Sequence, residues 1–173
     1  MKKAIITCIA LIGIISGCAT VQSIVRSTFP YTANFIIPAS TRTGTTQSAT
    51  STISSVDQIF TGKNNSGTAQ QLRIASARID AVNPSSQSLG VINSVRVYLI
   101  RSNGSGELLI ASRNDVSSGT GNSLVLDIDN SRFLDDYMND GSARIRMDYV
   151  LRQSLNADVS VRASLSFSTA PTQ

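Results

Sequence analysis

The 173-residue chain contains no histidine and no tryptophan, and its only cysteines are Cys8 and Cys18. Histidine is the usual proton carrier near neutral pH, and together with cysteine it supplies the ligands of most zinc sites. Its absence excludes a Ser/His/Asp catalytic triad. Charged residues make up 15% of the chain and aromatic residues 5%. The composition therefore excludes several common classes of hydrolase at the outset.

The sequence also lacks an apolar run long enough to cross a bilayer. The longest, Ala4 to Ile15, covers about 12 residues, whereas a transmembrane helix needs about 20. It follows Lys2 and Lys3 and precedes the small residues Ser16 and Gly17, which is the order of a secretory signal. The pattern predicts a signal peptide over residues 1–17, a short tether over 18–27 and one domain over 28–173.

The residues Ile15, Ser16, Gly17 and Cys18 resemble the lipobox of bacterial lipoprotein precursors. In that family the cysteine thiol takes a diacylglyceryl group, the peptide is cut just before it and the new amino terminus is usually acylated. The resemblance implies that Cys18 is the lipid attachment site and the first residue of the mature protein. Two or three acyl chains on one residue make anchoring effectively permanent. The alternative is an ordinary signal peptide cut nearby, such as after Ala19, with Cys18 incidental.

Cleavage before Cys18 changes both the charge and the thiol content. Without Lys2 and Lys3, 13 basic residues face 11 acidic ones, so the net charge falls from +4 to +2. The remaining arginines are scattered, which is not the pattern of a nucleic-acid-binding protein. Cys8 leaves with the signal and Cys18 becomes a thioether. We therefore expect no disulfide, no cysteine nucleophile, no metal site of the usual type and no cofactor.

Apolar and polar residues alternate with period two through most of the remaining chain, which is typical of half-buried strands. Pro30 and Pro38 bound the first strand or place it at a sheet edge. A change of phase predicts a β-bulge near Ala75 and Ser76. The Ser- and Thr-rich stretch 39–54 is either an exposed strand or an irregular loop. We predict an all-β fold, an antiparallel β-sandwich of about seven to nine strands with one or two short helices in the connections.

The first short helix is predicted after Ser55, which forms a capping box with Gln58, and ends at Gly62. For the second, Asn130 or Ser131 is the predicted cap and Gly141 the predicted end. Its four apolar residues share a face: Phe133, Leu134, Tyr137 and Met138. Before this helix we predict a buried strand, in which either Leu124 and Leu126 or Val125 and Ile128 face the core.

Two hairpins are predicted. Asn103 and Gly104 suit a two-residue type I′ turn, which pairs Leu99 with Leu108 and Val97 with Ile110. The last two strands, residues 143–151 and 159–167, alternate so regularly that several registers match. Opposite charges select the register in which Arg152 opposes Asp158 and Asp148 opposes Arg162.

Acidic residues suggest two sites, each with a structural alternative. Asp127, Asp129 and Ser131 match the start of a calcium loop, but Arg132 and Met138 replace its glycine and its bidentate glutamate. Asp129 as a helix-start residue is the preferred interpretation.

Asp135, Asp136 and Asp140 are candidates for a surface calcium site or a glycosidase carboxylate pair. Neighbouring helix positions point about 100° apart, so a solvated helix face is the preferred interpretation.

Two further features lie on strands. Arg144 and Arg146 share an outward face and are candidates for binding an anion or a partner's carboxylates; a plain polar sheet face is the alternative. Tyr98 is the one aromatic residue that points outward in the predicted pattern. Carbohydrate-binding sandwiches usually stack sugars on exposed aromatic rings, so one outward tyrosine is weak support for that function.

From Leu72 to Phe167, the order of a bulged strand, an Asn-Gly hairpin and an Arg-bearing strand pair is similar to small uncharacterised β-sandwich lipoproteins of the Bacteroidota. The resemblance implies an envelope protein without a known activity and transfers no site except Cys18. In that group surface export is associated with acidic residues just after the cysteine, and Ala19 to Ser23 contains none. The resemblance implies the periplasmic face of the outer membrane, with the cell surface as the alternative.

We expect a noncatalytic lipoprotein, attached to the membrane through lipid on Cys18, whose sandwich binds an envelope protein partner. A glycan- or lipid-binding module is the second hypothesis. An enzyme comes third, because only carboxylates remain for acid and base chemistry.

Overall fold

The computed structural model describes residues 28–52, 54–55, 71–101, 103–138 and 142–169. These residues form an antiparallel β-sandwich, as predicted. The signal peptide, the tether with Cys18 and the predicted helix between Ser55 and Gly62 lie outside the described residues, apart from Ser55 itself, which is in a strand. The strands are β1 Thr28–Ile37, β2 Thr46–Thr50, β3 Ser54–Ser55, β4 Arg73–Asn83, β5 Ile92–Arg101, β6 Glu107–Arg113, β7 Ser123–Val125, β8 Asp127–Ile128, β9 Ser142–Leu151 and β10 Val159–Ser168.

The strands form two sheets. The smaller sheet has the order β1-β10-β4-β7, and the larger sheet has the order β2-β9-β5-β6-β8. β3 also pairs with β9, just beyond the end of β2. If β2 and β3 are counted as one interrupted edge strand, the described residues contain nine strands, which agrees with the predicted range.

The inward side chains of both sheets form one apolar core. β10 alternates buried and partly exposed residues along almost its whole length, and β1 does so from Tyr31 onward. The rings of Tyr31 and Phe167 pack edge to face, with centroids 6.3 Å apart. Burial of this face is the main stabilising term for the sandwich.

Two local predictions for the smaller sheet are confirmed. β1 is an edge strand, as its prolines indicated. The register between β4 and β10 shifts at Ala75, so that Ser166 faces Ser76 and Phe167 faces Ile74. Ala75 is the extra residue of this bulge.

The segment after Asn122 crosses from one sheet to the other. β7 pairs with β4 in the smaller sheet and β8 pairs with β6 in the larger one, with only Leu126 between them. Leu126 is 4% exposed, and its N–H donates to the Ala77 carbonyl at 3.0 Å. Leu124 and Leu126 therefore face the core, whereas Val125 is exposed.

The β5–β6 hairpin keeps half of its predicted register. Leu99 opposes Leu108 as expected, but Val97 opposes Ala111 rather than Ile110. A bulge inserts one residue here, and Ile110 and Ala111 are both buried. The type I′ turn is also wrong, because the positive φ angles fall on Gly104 and Gly106 and not on Asn103.

The predicted hairpin between the last two strands is wrong, since β9 and β10 belong to different sheets. Regular alternation fits a strand whose partner lies beside it or across the core, so periodicity cannot distinguish the two. The link over residues 152–158 crosses the end of the sandwich and buries Leu155.

The predicted charge pairs of that hairpin do not form. Arg152 donates to the carbonyls of Val116 at 2.6 Å and Gly90 at 3.3 Å, and Asp158 accepts from the Ala39 N–H at 2.8 Å.

The predicted second helix is present but shorter. α1 spans Asp135–Met138, and Leu134 and Met138 are buried while Phe133 is exposed. The Leu134 N–H donates to the Leu72 carbonyl at 2.8 Å, which holds residues 133–134 against the start of β4. The helix therefore starts later than Asn130 or Ser131 would set it. A second helical element in the described part of the chain is a 3₁₀ turn at Leu89–Val91.

Within the described ranges, no helix has both the length and the apolar character needed to cross a membrane.

Candidate binding groove between two strand edges

A groove of about 1230 Å³ opens along the side of the sandwich where β1 and β2 end the two sheets. It is larger than a depression of about 400 Å³ beside the bulge in β4. Its rims are formed mainly by hydroxyl and amide side chains of the two edge strands and of the loop 38–45 between them. Among the described residues, no strand pairs with the outer edge of either β1 or β2.

The hydrogen-bond pattern shows which backbone groups of β1 point into this opening. The Ala81 N–H donates to the Asn122 carbonyl, and the Ala77 carbonyl accepts from the Leu126 N–H. The backbone groups of the odd-numbered residues in this part of β4 therefore point toward β7. In an antiparallel sheet the backbone groups of successive residues point to opposite neighbouring strands. The even-numbered residues of β4 therefore form their backbone hydrogen bonds with the even-numbered residues of β10. The odd-numbered residues of β10 are then left to form backbone hydrogen bonds with the odd-numbered residues of β1.

The even positions of β1 consequently point their N–H and C=O groups away from β10. Three of them, Thr32, Asn34 and Ile36, line the groove and have exposed side chains. Pro30 is also even-numbered, so its nitrogen points away from β10. A proline at this position removes no hydrogen bond between β1 and β10.

β2 directs alternate backbone groups outward in the same way. The Ser51 N–H donates to the Ile145 carbonyl at 2.8 Å, in the register that pairs β2 with β9. Gln47 and Ala49 share this parity and bond to β9. The backbone groups of Thr46, Ser48 and Thr50 therefore point outward.

Ser51 marks the place where β2 stops. Its hydroxyl accepts from the Ile145 N–H at 3.1 Å and donates to the Thr52 carbonyl at 3.0 Å. The side chain thus takes over a ladder position, and backbone pairing resumes only at Ser54. This explains why Ser51 is buried although it is polar.

The floor of the groove is apolar and the rims are polar. Phe35 and Ala33 contribute to the floor from β1, and Tyr149 contributes from β9. The Tyr149 and Thr41 hydroxyls lie 3.5 Å apart where the loop closes one end. Exposed apolar surface remains on the rim at Ile36, which is 60% exposed, and at Val82. A polar rim over an apolar floor is suited to an extended chain with alternating side chains.

The groove is positively charged. Arg42 and Arg162 are its only charged lining residues, and no Asp or Glu lines it among the residues described. Arg162 lies against Asn34, with Nε 3.4 Å from the amide oxygen, and makes no ion pair within the described part of the chain. Three carboxylates on neighbouring segments are engaged elsewhere. Asp80, which opposes Arg162 on β4, pairs with Arg78 and accepts from Ser123. Asp148 accepts from Ser48 and Arg146, and Asp158 accepts from Ala39.

The outer face of the larger sheet carries a second charged group, which is internally compensated. The Arg146 guanidinium lies 2.8 Å from Glu107, 3.3 Å from Asp148 and 4.5 Å above the Tyr98 ring. Tyr98 points outward as predicted, but the arginine covers it. Arg144 shares this face and makes no ion pair within the described ranges. The arrangement favours the polar-face interpretation of Arg146 over an anion site.

The acidic residues that suggested a calcium site act within a turn. The carboxylate of Asp129 accepts from the Ser131 hydroxyl at 2.6 Å and from its N–H at 3.1 Å. These hydrogen bonds, chiefly that from the hydroxyl, lower the pKa of Asp129 below its ordinary value of 3.8, and Arg132 lowers it further. Asp127 forms an ion pair with Arg113 at 3.1 Å.

Asp135 lies at the start of α1 with Asp136, and Asp140 is outside the described residues. Within the described ranges, no three metal-ligating side chains of the Asp, Glu, His or Cys type converge.

Sequence reasoning did not find the groove, although two of its signals were present. Pro30 and Pro38 indicated an edge strand, and the Ser- and Thr-rich stretch 39–54 contained the other edge. The sequence pattern did not predict that these two edges lie on the same side of the sandwich. The lipid attachment residue, Cys18, lies outside the described residues.

No family model matches the chain, and no curated protein matches it. Several solved structures do match. One is titled "Structure of infectious bursal disease virus Gt strain"; it has a TM-score of 0.41 and 13% sequence identity, and the match covers 83% of this chain. The chain spans only 32% of the length of that viral protein chain.

Proposed function

We propose that this protein is a noncatalytic, lipid-anchored envelope lipoprotein whose sandwich binds a protein partner along the groove between β1 and β2. The observation that carries the proposal is the pair of strand edges whose outward backbone groups line one opening. Unpaired strand edges bind extended segments of other chains through main-chain hydrogen bonds. Natural sandwiches usually protect such edges, so two facing edges favour a binding role.

A protein partner fits the groove better than a glycan. The aromatic residues of the lining, Phe35 and Tyr149, are 4% and 3% exposed and contribute to the apolar core. Within the described lining, no exposed aromatic ring offers a platform on which a sugar would stack.

The direction of the tether is consistent with an accessible groove. β1 begins at Thr28, directly after the proposed tether, and the groove-lining positions begin at Thr32. At about 3.3 Å per residue, the far end of β1 lies about 30 Å beyond the tether. In our proposal the groove is thus within reach of a partner on the periplasmic side of the outer membrane.

The anchor is tested by replacing one residue. We expect the full-length protein to fractionate with membranes and to require detergent, and Cys18→Ser to be released into the soluble fraction. Replacement of Ala19 serves as the control, since cleavage after Ala19 is the competing prediction. A Cys18→Ser protein that still requires detergent would contradict the lipid anchor.

The binding surface is tested separately with a photo-crosslinking amino acid in intact cells. We expect a crosslink to another protein from Thr50, on the groove rim, and not from Val125, which is also exposed but lies on the opposite side of the sandwich. Crosslinks from Val125 alone would contradict the groove as the binding surface.

A further inference from the structure

We infer that the ligand of the groove is an acidic segment of a partner protein, which adds as a strand to the free edge of β1. This inference rests on the proposed function and specifies the chemistry of the partner. It depends on the direction of the β1 backbone groups, on the charge of the rim and on the difference between the two edges.

The β1 edge offers a continuous row of main-chain groups. Thr32, Asn34 and Ile36 each direct one N–H and one C=O outward, and each has an exposed side chain that leaves the edge accessible. Pro30 removes the donor of the preceding outward position. An added strand can therefore form its full set of hydrogen bonds only from Thr32 onward, which fixes where it pairs.

The charge of the rim selects an acidic strand. The Arg162 side chain leans over β1 far enough to place its Nε 3.4 Å from the Asn34 amide oxygen. An added strand lies about 4.8 Å outside β1, so a glutamate opposite Asn34 reaches this guanidinium. Arg42, in the loop that closes the groove, adds a second positive charge near the end of the strand. Guanidinium and carboxylate groups form strong charge-assisted hydrogen bonds.

The two edges differ in what an acidic strand would meet. Beside β2, the carboxylate of Asp148 accepts from Ser48 at 2.6 Å and is already paired with Arg146, so an acidic strand there would find no uncompensated positive charge. Beside β1, the neighbouring charged residue on β10 is Arg162, and its cross-strand neighbour Asp80 is paired with Arg78. Electrostatic complementarity therefore favours β1 over β2.

The test uses the full-length lipidated protein in detergent micelles and two fluorescent nine-residue peptides of alternating valine and charged residues. One peptide carries glutamate and the other carries lysine at the same positions. We expect the glutamate peptide to bind at least about tenfold more tightly by fluorescence anisotropy, with the difference decreasing as salt is added. Equal binding of the two peptides, or binding of neither at about 1 mM, would overturn the inference.

N-methylation distinguishes strand addition from simple charge attraction. Methyl groups placed on successive backbone nitrogens of the glutamate peptide should abolish binding at every second position only, because alternate N–H groups face β1. An effect without this period would contradict strand addition even if the glutamate peptide binds.

Matched variants locate the site. Thr32→Pro removes an outward N–H, whereas Thr32→Val retains it, so we expect about a tenfold loss of binding for the first and little change for the second. Arg162→Ala should weaken binding of the glutamate peptide, whereas Arg96→Ala, on the outer face of the larger sheet, should not. Equal effects within either pair would contradict binding at β1.

Other occupants give distinct results. A crosslink from Thr50 to residues 19–27 of the same chain, or a doubled mass by analytical ultracentrifugation, would assign the groove to the tether or to a second copy and overturn the inference. If Thr50 crosslinks a partner in cells but the two peptides bind equally, the proposed function stands and the acidic strand does not.

Discussion

Along one side of the sandwich the chain passes from β7 to β8 with a single residue between the strands, whereas along the other side the eight-residue loop 38–45 separates β1 from β2. The first side is closed by Leu126, which is buried and hydrogen-bonded to the smaller sheet. The second holds the groove of about 1230 Å³. Both sides join the same two sheets, so the difference comes from the connections.

The comparison shows how a sandwich protects one side and leaves the other accessible. A segment that passes directly from one sheet to the other closes the opening between their edges at that point, because the chain itself bridges it. A loop that crosses only one end leaves both edges exposed along their length. Substitutions on the two sides should therefore affect different properties, stability on the closed side and binding on the open side.

The largest effect is expected at Leu126. Leu126→Ala removes a side chain buried in the apolar core, and we expect a loss of about 2–5 kcal/mol in the free energy of unfolding, measured by chemical denaturation. Val125→Ala is the neighbouring control and should change stability by less than about 0.5 kcal/mol because Val125 is 62% exposed. Similar losses for both variants would mean that Leu126 does not join the sheets.

Proline substitutions test the open side. Ala33→Pro removes an N–H that bonds to β10, and we expect a loss of about 1–3 kcal/mol from the unpaired partner alone. Thr32→Pro removes an outward N–H and should cost clearly less, although the two positions are adjacent. Thermal melts of both variants measure the difference. The reverse order would show that the assigned backbone directions are wrong.

A smaller effect is expected at the end of the sandwich, where Arg152 binds three acceptors. These are the carbonyls of Gly90 and Val116 and the side-chain oxygen of Asn93. Arg152→Met keeps much of the apolar stem but leaves these groups without the guanidinium, and we expect a loss of about 1–2 kcal/mol by denaturant titration. Arg42→Met is the control, and a loss as large as that of Arg152→Met would contradict the structural role of Arg152.

The smallest effect concerns acid pH. Because the pKa of Asp129 is lowered in the folded protein, its contribution to stability is present above the ordinary value of 3.8 and is lost as the pH falls through the folded value. An NMR titration of the Asp129 carboxyl should give a pKa below 3.8, and Ser131→Ala should raise it. An unchanged titration in Ser131→Ala would rule out the hydroxyl as the main cause.

Predictability followed the range of the interactions. Strand β1, its edge position and the bulge at Ala75 depend on local alternation and on proline, so the sequence was sufficient to predict them. The pairing of β9 with β5 and of β10 with β1 depends on contacts between distant segments, and periodicity is the same for a neighbour in the sheet and a partner across the core. The groove depends on both edges lying on one side, which is a property of topology and not of any single strand.

The last strand along the described chain occupies an interior position in the smaller sheet. β10 is the bonded neighbour of β1, and their paired residues are separated by at least 122 positions in the sequence. Among the described strands β1 therefore has no partner until β10 has been synthesised, and the smaller sheet is completed only then. Such non-local pairing slows folding, typically to milliseconds or seconds. We expect nascent chains that stop before Val159 to lack a complete smaller sheet, so the sandwich closes only once its last described strand is available.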